Sequence, residues 1–471
     1  MDKGVIESLK AIVGHEYVSD SEVDLEVYSR VGSLQRRARS EVIVLPGSVE
    51  EVSKVLTFAN THKIPLVVKG AGENLQETAA PAQGGILLSL ARMDRILEID
   101  NDNLTIMVEG GCSTYTIFRE LEQRGLRCPI IAQYSSGPQA ASGVAGNYLG
   151  LLGARHGSCA DHLMGLEVVL ADGEVATFGT GAFSDYGYFY KYVGAPTPMS
   201  LFIQSLGTLG VITKVVLKIV HKPKFESYMT FAWSSEKLKE ASQGFYDLMR
   251  FGVYNLDVWN KWAFWFQIKK GQLPPLPSKT EILALIIQDA NLEVELKLKE
   301  DRIKEICRSY GGIDVGETIC RGVFGPPEYR VWEYYMTRYR STREFKARTA
   351  YIFYFVPILS VAEDYELFCR MMEKFGFWNE RSIPRYRGWL ITPAAFASYP
   401  AFYSRLDEEG KTRELIQEYA QELTKRGAMP YSVGPTWPKE TVEMLGPQFE
   451  LMRKIKMGLD PNHILHSGYL F

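Results

Sequence analysis

The chain has 471 residues, 46% hydrophobic and 23% charged, with 53 basic against 56 acidic side chains and a net charge of −3. That is enough apolar material for two or three domains with cores of their own, and it excludes a largely disordered chain or a broad nucleic-acid platform. No run of 18 uncharged apolar residues occurs, and the opening MDKGVIESLK lacks the basic-then-apolar order of a secretory signal. The expectation is a cytoplasmic protein without a membrane span. Cys112, Cys128, Cys159, Cys307, Cys320 and Cys369 show no C-x-x-C spacing and are expected to be reduced thiols.

The first clear unit begins near Ser40. Glu41 to Leu45 reads as a strand closed by Pro46-Gly47. Ser48 and Glu51 form a capping-box pattern ahead of Val52, Val55, Leu56 and Ala59, one face of a helix. Ile64 to Val68 reads as the next strand and delivers the chain to Gly70-Ala71-Gly72. Gly85 to Leu90 and Leu104 to Glu109 have strand length, and Ser113 can cap a helix over Thr114 to Arg124. Glu167 to Leu170, Asp172-Gly173 and Glu174 to Thr177 form a hairpin signal, and the alternation from Val211 to Ile219 reads as a long closing strand. Beyond Pro223 the texture changes. Aromatic clusters such as Trp259, Trp262, Phe264, Trp265 and Phe266 appear. Amphipathic helices are expected over Leu292 to Cys307, Asp364 to Phe375, Lys411 to Lys425 and Pro447 to Met457, with one strand over Thr349 to Val356.

Three glycine-rich segments are the chemical candidates. Val68 to Leu75 ends a strand in two glycines separated by one residue, a path that lets a pyrophosphate approach backbone N–H groups or simply makes a tight turn. Ser135-Ser136-Gly137-Pro138 with Gly143 to Asn147 suits either close backbone packing or a flat ligand, and Phe202 to Thr213 carries Gly207 and Gly210 into the long strand.

Taken in this order, the three segments resemble the vanillyl-alcohol oxidase and 4-cresol dehydrogenase flavoprotein superfamily, whose FAD-binding domain is of the PCMH type. Ile43 to Val52 resembles its entry strand and helix. Gly72-Glu73-Asn74-Leu75 with Ala79-Ala80-Pro81 resembles its pyrophosphate loop. Leu88 to Glu98, Gly146-Asn147, Asp161-His162, Glu167 to Glu174 and the tail Leu459 to Leu465 continue the match. Gln204-Ser205 resembles the aryl-alcohol branch, where the hydroxy-acid branch has Gly-Ser.

The resemblance implies an α+β fold: an N-terminal helical segment over 1–39, a two-part FAD-binding domain over 40–222, an α+β substrate (cap) domain over 223–430, and a C-terminal segment over 431–471 packing on the FAD domain. It implies FAD as cofactor, held by Gly70, Ala71, Gly72, Glu73, Asn74, Leu75, Ser136, Gly143, Gly146, Asn147, Asp161, Gly210, Val211 and Ile212. It also implies an oxidoreductase that passes a hydride to flavin N5 from an aromatic or bulky alcohol, alkyl or acid substrate. The alternative is an FAD-containing non-catalytic or electron-relaying subunit of a larger complex, and a homo-oligomer or a redox partner subunit is compatible with either.

Two departures qualify the chemistry. Tyr431 is kept where the family reads Tyr-Arg, but Ser432 replaces the arginine, and Gly150 stands at the usual acidic position. This disfavours a phenolate mechanism. Arg155, His156 and Tyr386 are the substitute catalytic candidates beside Tyr431, each with a bland alternative as a salt bridge or core residue. Residues 222 to 462 contain no histidine, which excludes a histidyl flavin link from the cap and disfavours a histidine-based metal site there. Dissociable FAD is expected.

Overall fold

The computed structural model describes residues 1–29, 39–72, 83–130, 137–263, 276–324, 348–392, 394–433, 437 and 439–466. The chain opens with helices Lys3–Val13 and Glu22–Ser29, then enters a four-stranded sheet. Val42–Val44, Ile86–Ser89 and Leu66–Lys69 lie parallel in that spatial order, with Val18–Ser19 antiparallel at the edge. These strands are short runs of aliphatic residues covered on both faces, the setting in which parallel strands persist. The connecting helix Val49–His62 starts where expected: Ser48 Oγ accepts the Glu51 N–H at 3.3 Å. Val52, Val55, Leu56 and Ala59 are its buried stripe.

A five-stranded antiparallel sheet follows, ordered Ile96–Asp100, Thr105–Glu109, Val211–Lys218, Leu163–Val169 and Val175–Phe178. The long strand from Val211 therefore closes the unit from its centre, flanked by strands met 40 and 100 residues earlier in the chain. The helix Thr114–Gln123 is capped by Ser113, whose Oγ accepts the Thr116 N–H at 3.0 Å. One apolar core joins both sheets. It takes in Ile6, Leu9 and Val13 from the first helix and Ile464 and Leu465 from the far end of the chain. A buried clip fixes that return: Lys456 donates to the Asp460 carboxylate and to the carbonyls of Thr208 (2.8 Å) and Leu465 (3.0 Å). Asp460 in turn accepts the N–H groups of Ile464 and Leu465.

The second unit is built on an eight-stranded antiparallel sheet, ordered Ile313–Gly316, Phe225–Ser234, Thr280–Ala290, Asn255–Asn260, Arg387–Leu390, Ala395–Ser398, Tyr354–Pro357 and Met429–Pro430. Its alternation sends one residue set, including Leu256, Val258, Tyr354, Leu390 and Phe396, into a core with helices Leu238–Phe251, Glu293–Ser309, Val361–Lys374 and Glu409–Lys425. The expected single strand over Thr349 to Val356 is instead two. Arg348–Tyr351 pairs with Ala401–Ser404 in a separate ribbon, and Tyr354–Pro357 joins the large sheet. Of the tryptophan-rich cluster, Trp259 and Trp262 are described, while Phe264, Trp265 and Phe266 lie outside the described residues.

The opposite sheet face turns toward the first unit. Tyr228, Tyr254, Trp259, Leu283, Leu285 and Ile287 pack there on Phe118, Leu151 and Leu152. A buried ionic knot crosses the same interface. Arg127 donates to Glu122 (2.7 Å) on its own unit, and to Glu226 (2.5 Å) and the Tyr254 hydroxyl (3.1 Å) on the other. All six cysteines are free, and among the described residues no helix is long and apolar enough to cross a membrane.

Candidate active site

The cleft forms where three glycine-bearing bends converge. Its walls are Val68 to Gly72 at the end of a parallel strand, Pro138 to Tyr148 around the helix Ala140–Ala145, and Leu206, Gly207, Gly210 and Ile212 at the start of the long strand. Leu90 and His466 complete it, and the cleft is partly open to solvent. Small side chains make the room: a Cβ at Gly70 would stand 3.2 Å from both Gln139 Oε1 and Ser142 Oγ.

Strained backbone gathers around the same space. Asn147, Gln204, Leu206 and His466 all have positive φ, from 45° to 57°, and Gly207 sits at 76° facing the His466 ring. Non-glycine residues hold this conformation only where their surroundings over-determine it. Here the surroundings do. The N–H groups of Gln204 and Leu206 donate to the carbonyls of Val144 (3.1 Å) and Ala145 (2.9 Å), and Val68 N–H donates to His466 Nε2 at 2.9 Å.

Gly70, Ala71, Gly72, Gly146, Gly210 and Ile212, expected from the sequence to contact the cofactor, line this cleft. Glu73, Asn74, Leu75 and Ser136 lie outside the described residues. Four others are placed differently. Asp161 caps the short helix Cys159–His162, accepting the Ser158 N–H at 2.7 Å, because its carboxylate is turned back along its own turn. Asn147 braces that helix through Ala160 N–H at 3.1 Å. Gly143 sits behind Tyr148, and Val211 points into the core because alternation sends its neighbours Gly210 and Ile212 to the cleft. Gly207, singled out with Gly210 in the third glycine segment, also lines the cleft. Sequence reasoning missed Lys69, Gln139, Ser142, Tyr148 and His466 as lining residues, and of these only Lys69 carried a local signal, as a cation ending an otherwise apolar strand.

Among the catalytic candidates, Tyr431 alone reaches the cleft wall. Its hydroxyl donates to the Gly146 carbonyl at 2.5 Å, and its ring stacks on Phe353 at 4.3 Å. It belongs to an aromatic wall on the cap sheet, with Phe353, Phe355, Trp389 and Tyr399, that meets Leu149 of the first unit. Behind the wall, Arg387 is paired with Asp257 at 2.5 and 3.1 Å and lies over Trp259 and Trp389. Each charge is thereby compensated inside the sheet face.

The remaining candidates are corrected. Tyr386 is fully buried in the helix-side core, donating to Asp364 at 2.7 Å, because its place in the alternation is opposite to that of Arg387. Arg155 is an interdomain strut, held by Asp289, Gln288 (3.0 Å) and the Gly252 carbonyl (2.9 Å). His156 lies beside Tyr254 and His162, whose Nε2 donates to the His156 carbonyl at 2.6 Å. Burial, reinforced by neighbouring His162 and Arg155, pushes the His156 imidazole down to about 4. An unfolded histidine titrates near ~6.5. The neutral ring therefore contributes stability that is complete above pH ~6.5 and is lost as pH falls toward 4. Thermal midpoints should drop over that window in the wild type and drop less steeply in His156→Gln; equal slopes would remove His156 from the acid response.

The comparisons agree with this geometry. Residues 40–179 match the family model described as an FAD binding domain. By structure, the chain is similar to substrate-bound p-cresol methylhydroxylase (TM-score 0.83, 18% identity, 100% of this chain and 97% of that one). It is similar also to 4-ethylphenol oxidase from Gulosibacter chungangensis (TM-score 0.82, 19% identity, 99% and 96%). The chain has the PCMH-type FAD-binding fold. By sequence, it is 30% identical over 315 residues to glycolate oxidase subunit GlcD of Bacillus subtilis (strain 168), covering 66% of this chain and 65% of that protein. The chain thus spans less than two-thirds of the length of the first curated relatives it matches.

FAD is the cofactor of a PCMH-type domain, and the residues present fit it. Glycine, alanine and serine make up half of the cleft's lining, and Gly72 at φ 72° turns the chain without a Cβ in the way. Gln139, Ser142, Tyr148 and His466 supply polar groups along its length. The PCMH-type arrangement also explains the returning C-terminal segment, since His466 is part of the cleft wall.

Proposed function

We propose that the protein is an FAD-dependent oxidoreductase acting on an aromatic or similarly bulky alcohol, alkyl or acid substrate. The observation that carries this reading is the meeting of the glycine-walled cleft with the aromatic wall of the cap at Gly146 and Tyr431. FAD bound in the cleft supplies a two-electron acceptor for a substrate carbon held against it. The chain's part is to bind and orient. Phe353, Phe355, Trp389 and Tyr399 offer flat apolar surface that excludes water, and Tyr431 ties that surface to the cofactor wall. The wall is aromatic and aliphatic, and the Arg387 beside Trp389 is held by Asp257, which supports an apolar or aromatic body on the substrate.

The test is anaerobic titration of FAD-loaded protein with aryl alcohols, alkylphenols and hydroxy acids, following loss of the visible flavin absorbance. Bleaching by a member of the panel is expected. Tyr431→Phe should slow that reduction about tenfold or more, roughly 1.4 kcal/mol in barrier, with FAD affinity within about threefold of wild type. Unchanged reduction would remove Tyr431 from the reaction. A second reading, an electron-relaying subunit, is favoured by the GlcD relative, a glycolate oxidase subunit. Bleaching that appears only when a partner redox protein is added would select it. A cytoplasmic location belongs to the same proposal and is supported by the six free thiols.

A further inference from the structure

A dense apolar surface lies away from the cleft, on the loop 183–193 that follows the strand Val175–Phe178. Phe183, Tyr186, Phe189, Tyr190, Tyr192 and Val193 are each between 38% and 82% exposed. The loop is nonetheless anchored. Tyr188 is the ring that turns inward, onto a seat made by three glycines. A Cβ at Gly165 or Gly181 would collide with that ring, and one at Gly179 would crowd it at 3.0 Å. Thr180 Oγ1 donates to the Gly187 carbonyl at 2.9 Å, and Asn103 Nδ2 donates to the Tyr186 carbonyl at 2.9 Å. Tyr190 and Tyr192 pack edge to face at 5.4 Å. The five exposed rings and the valine present roughly 600 Å² of mostly apolar surface. That is the upper end for the largest apolar patch on a monomer, and about three-quarters of what one partner brings to a standard interface.

We propose that this loop is where two copies of the chain meet, in an isologous pair that lays aromatic side chains on aromatic side chains. Charge on the loop selects a second copy as the occupant. Asp185 and Lys191 bracket the run from Tyr186 to Tyr190. Among the described residues neither forms an ion pair, and the Lys191 ammonium lies over the Tyr192 ring at 5.1 Å. A twofold axis through the run sets Asp185 of one copy against Lys191 of the other, twice, which is the self-complementarity an isologous contact requires. A lipid surface fits less well. Exposed Glu98 and Asp102, on the neighbouring strand and turn, make the surroundings acidic, and an anionic leaflet repels them. None of the loop residues lines the cleft, so the pairing does not depend on which ligand the cleft takes.

The experiment is analytical ultracentrifugation of the full chain from about 0.5 to about 50 μM, for wild type, Tyr186→Ser, Asp185→Lys, Lys191→Asp and an equimolar mixture of the last two. Wild type should sediment at twice the chain mass by about 10 μM. Tyr186→Ser should weaken association about tenfold or more, because the most exposed ring leaves the centre of the contact. Each charge reversal alone sets like charges together at both ends of the pair and should weaken it by a similar factor. In the mixture both ends again join opposite charges, so association should return to near the wild-type value. A folding defect in either variant cannot imitate that recovery, and circular dichroism checks the fold of each. Wild type that stays at the single-chain mass at about 50 μM overturns the proposal. So does a dimer indifferent to Tyr186→Ser and to both reversals, or a mixture as weak as its components. Monomeric wild type that sediments with phosphatidylcholine–phosphatidylserine vesicles, while Tyr186→Ser does not, would overturn it in favour of a lipid surface.

Discussion

Gly70→Val is expected to weaken FAD binding by about 100-fold or more, roughly 3 kcal/mol, while leaving the fold in place. The residue is not in the left-handed region, so a β-branched side chain is tolerated by the backbone at the end of a strand. Its Cβ, however, would stand 3.2 Å from Gln139 Oε1 and Ser142 Oγ, and the two methyl groups would fill the space between the walls. Because the lost volume belongs to the ligand and not to the core, affinity and stability separate. A flavin titration paired with a thermal melt measures both. Affinity within threefold of wild type would place the cofactor elsewhere.

Arg127→Met should lower unfolding free energy by about 3–5 kcal/mol, the range found when one partner of a buried ion pair is removed. The arginine side chain is fully buried, as is its partner Glu122, and Glu226 is nearly so. Burial opposes the guanidinium charge, but Glu226, Tyr254 and Glu122 outweigh it and hold the group protonated. Methionine would remove the cation between two carboxylates at the domain interface, Glu122 keeping Lys222 at 2.5 Å and Glu226 the Tyr228 hydroxyl at 2.9 Å. Chemical denaturation measures the loss, and adding Glu226→Gln should recover part of it because one of the two negative charges is then gone. A loss below about 1 kcal/mol would mean that the interface does not depend on the knot. The same substitution tests the site indirectly, since this interface sets the cap and its aromatic wall against the cleft.

How far the molecule could be read in advance varies with the range of the interaction. The helix Val49–His62 was legible because its cap, Ser48, and its stripe are local features four residues apart at most. The hairpin at Gly173 was legible for the same reason, with Leu170 N–H donating to the Glu174 carbonyl at 2.8 Å. Tyr386 was weighed as a catalytic residue against a core tyrosine, and its neighbours in the chain offered nothing to choose between the two. Its burial depends on Asp364 and Ser398, two groups brought to it by a helix and a neighbouring strand. For Arg155 the salt-bridge alternative is the one found, but nothing near it in the chain announces its partner Asp289, 134 residues away.

Local order, then, was determined by the sequence alone: strand and helix starts, the three glycine bends, and their succession, because backbone sterics and capping act over a few residues. Which of those bends face one another, and that His466 and Lys69 join them, was decided by tertiary packing. The return of Ile464 and Leu465 into the first core delivers His466 to Val68 across 398 positions. The absence of a Cβ at Gly72 lets Lys69 turn under its own loop. Burial and charge compensation act through space, and no spacing along the chain encodes them.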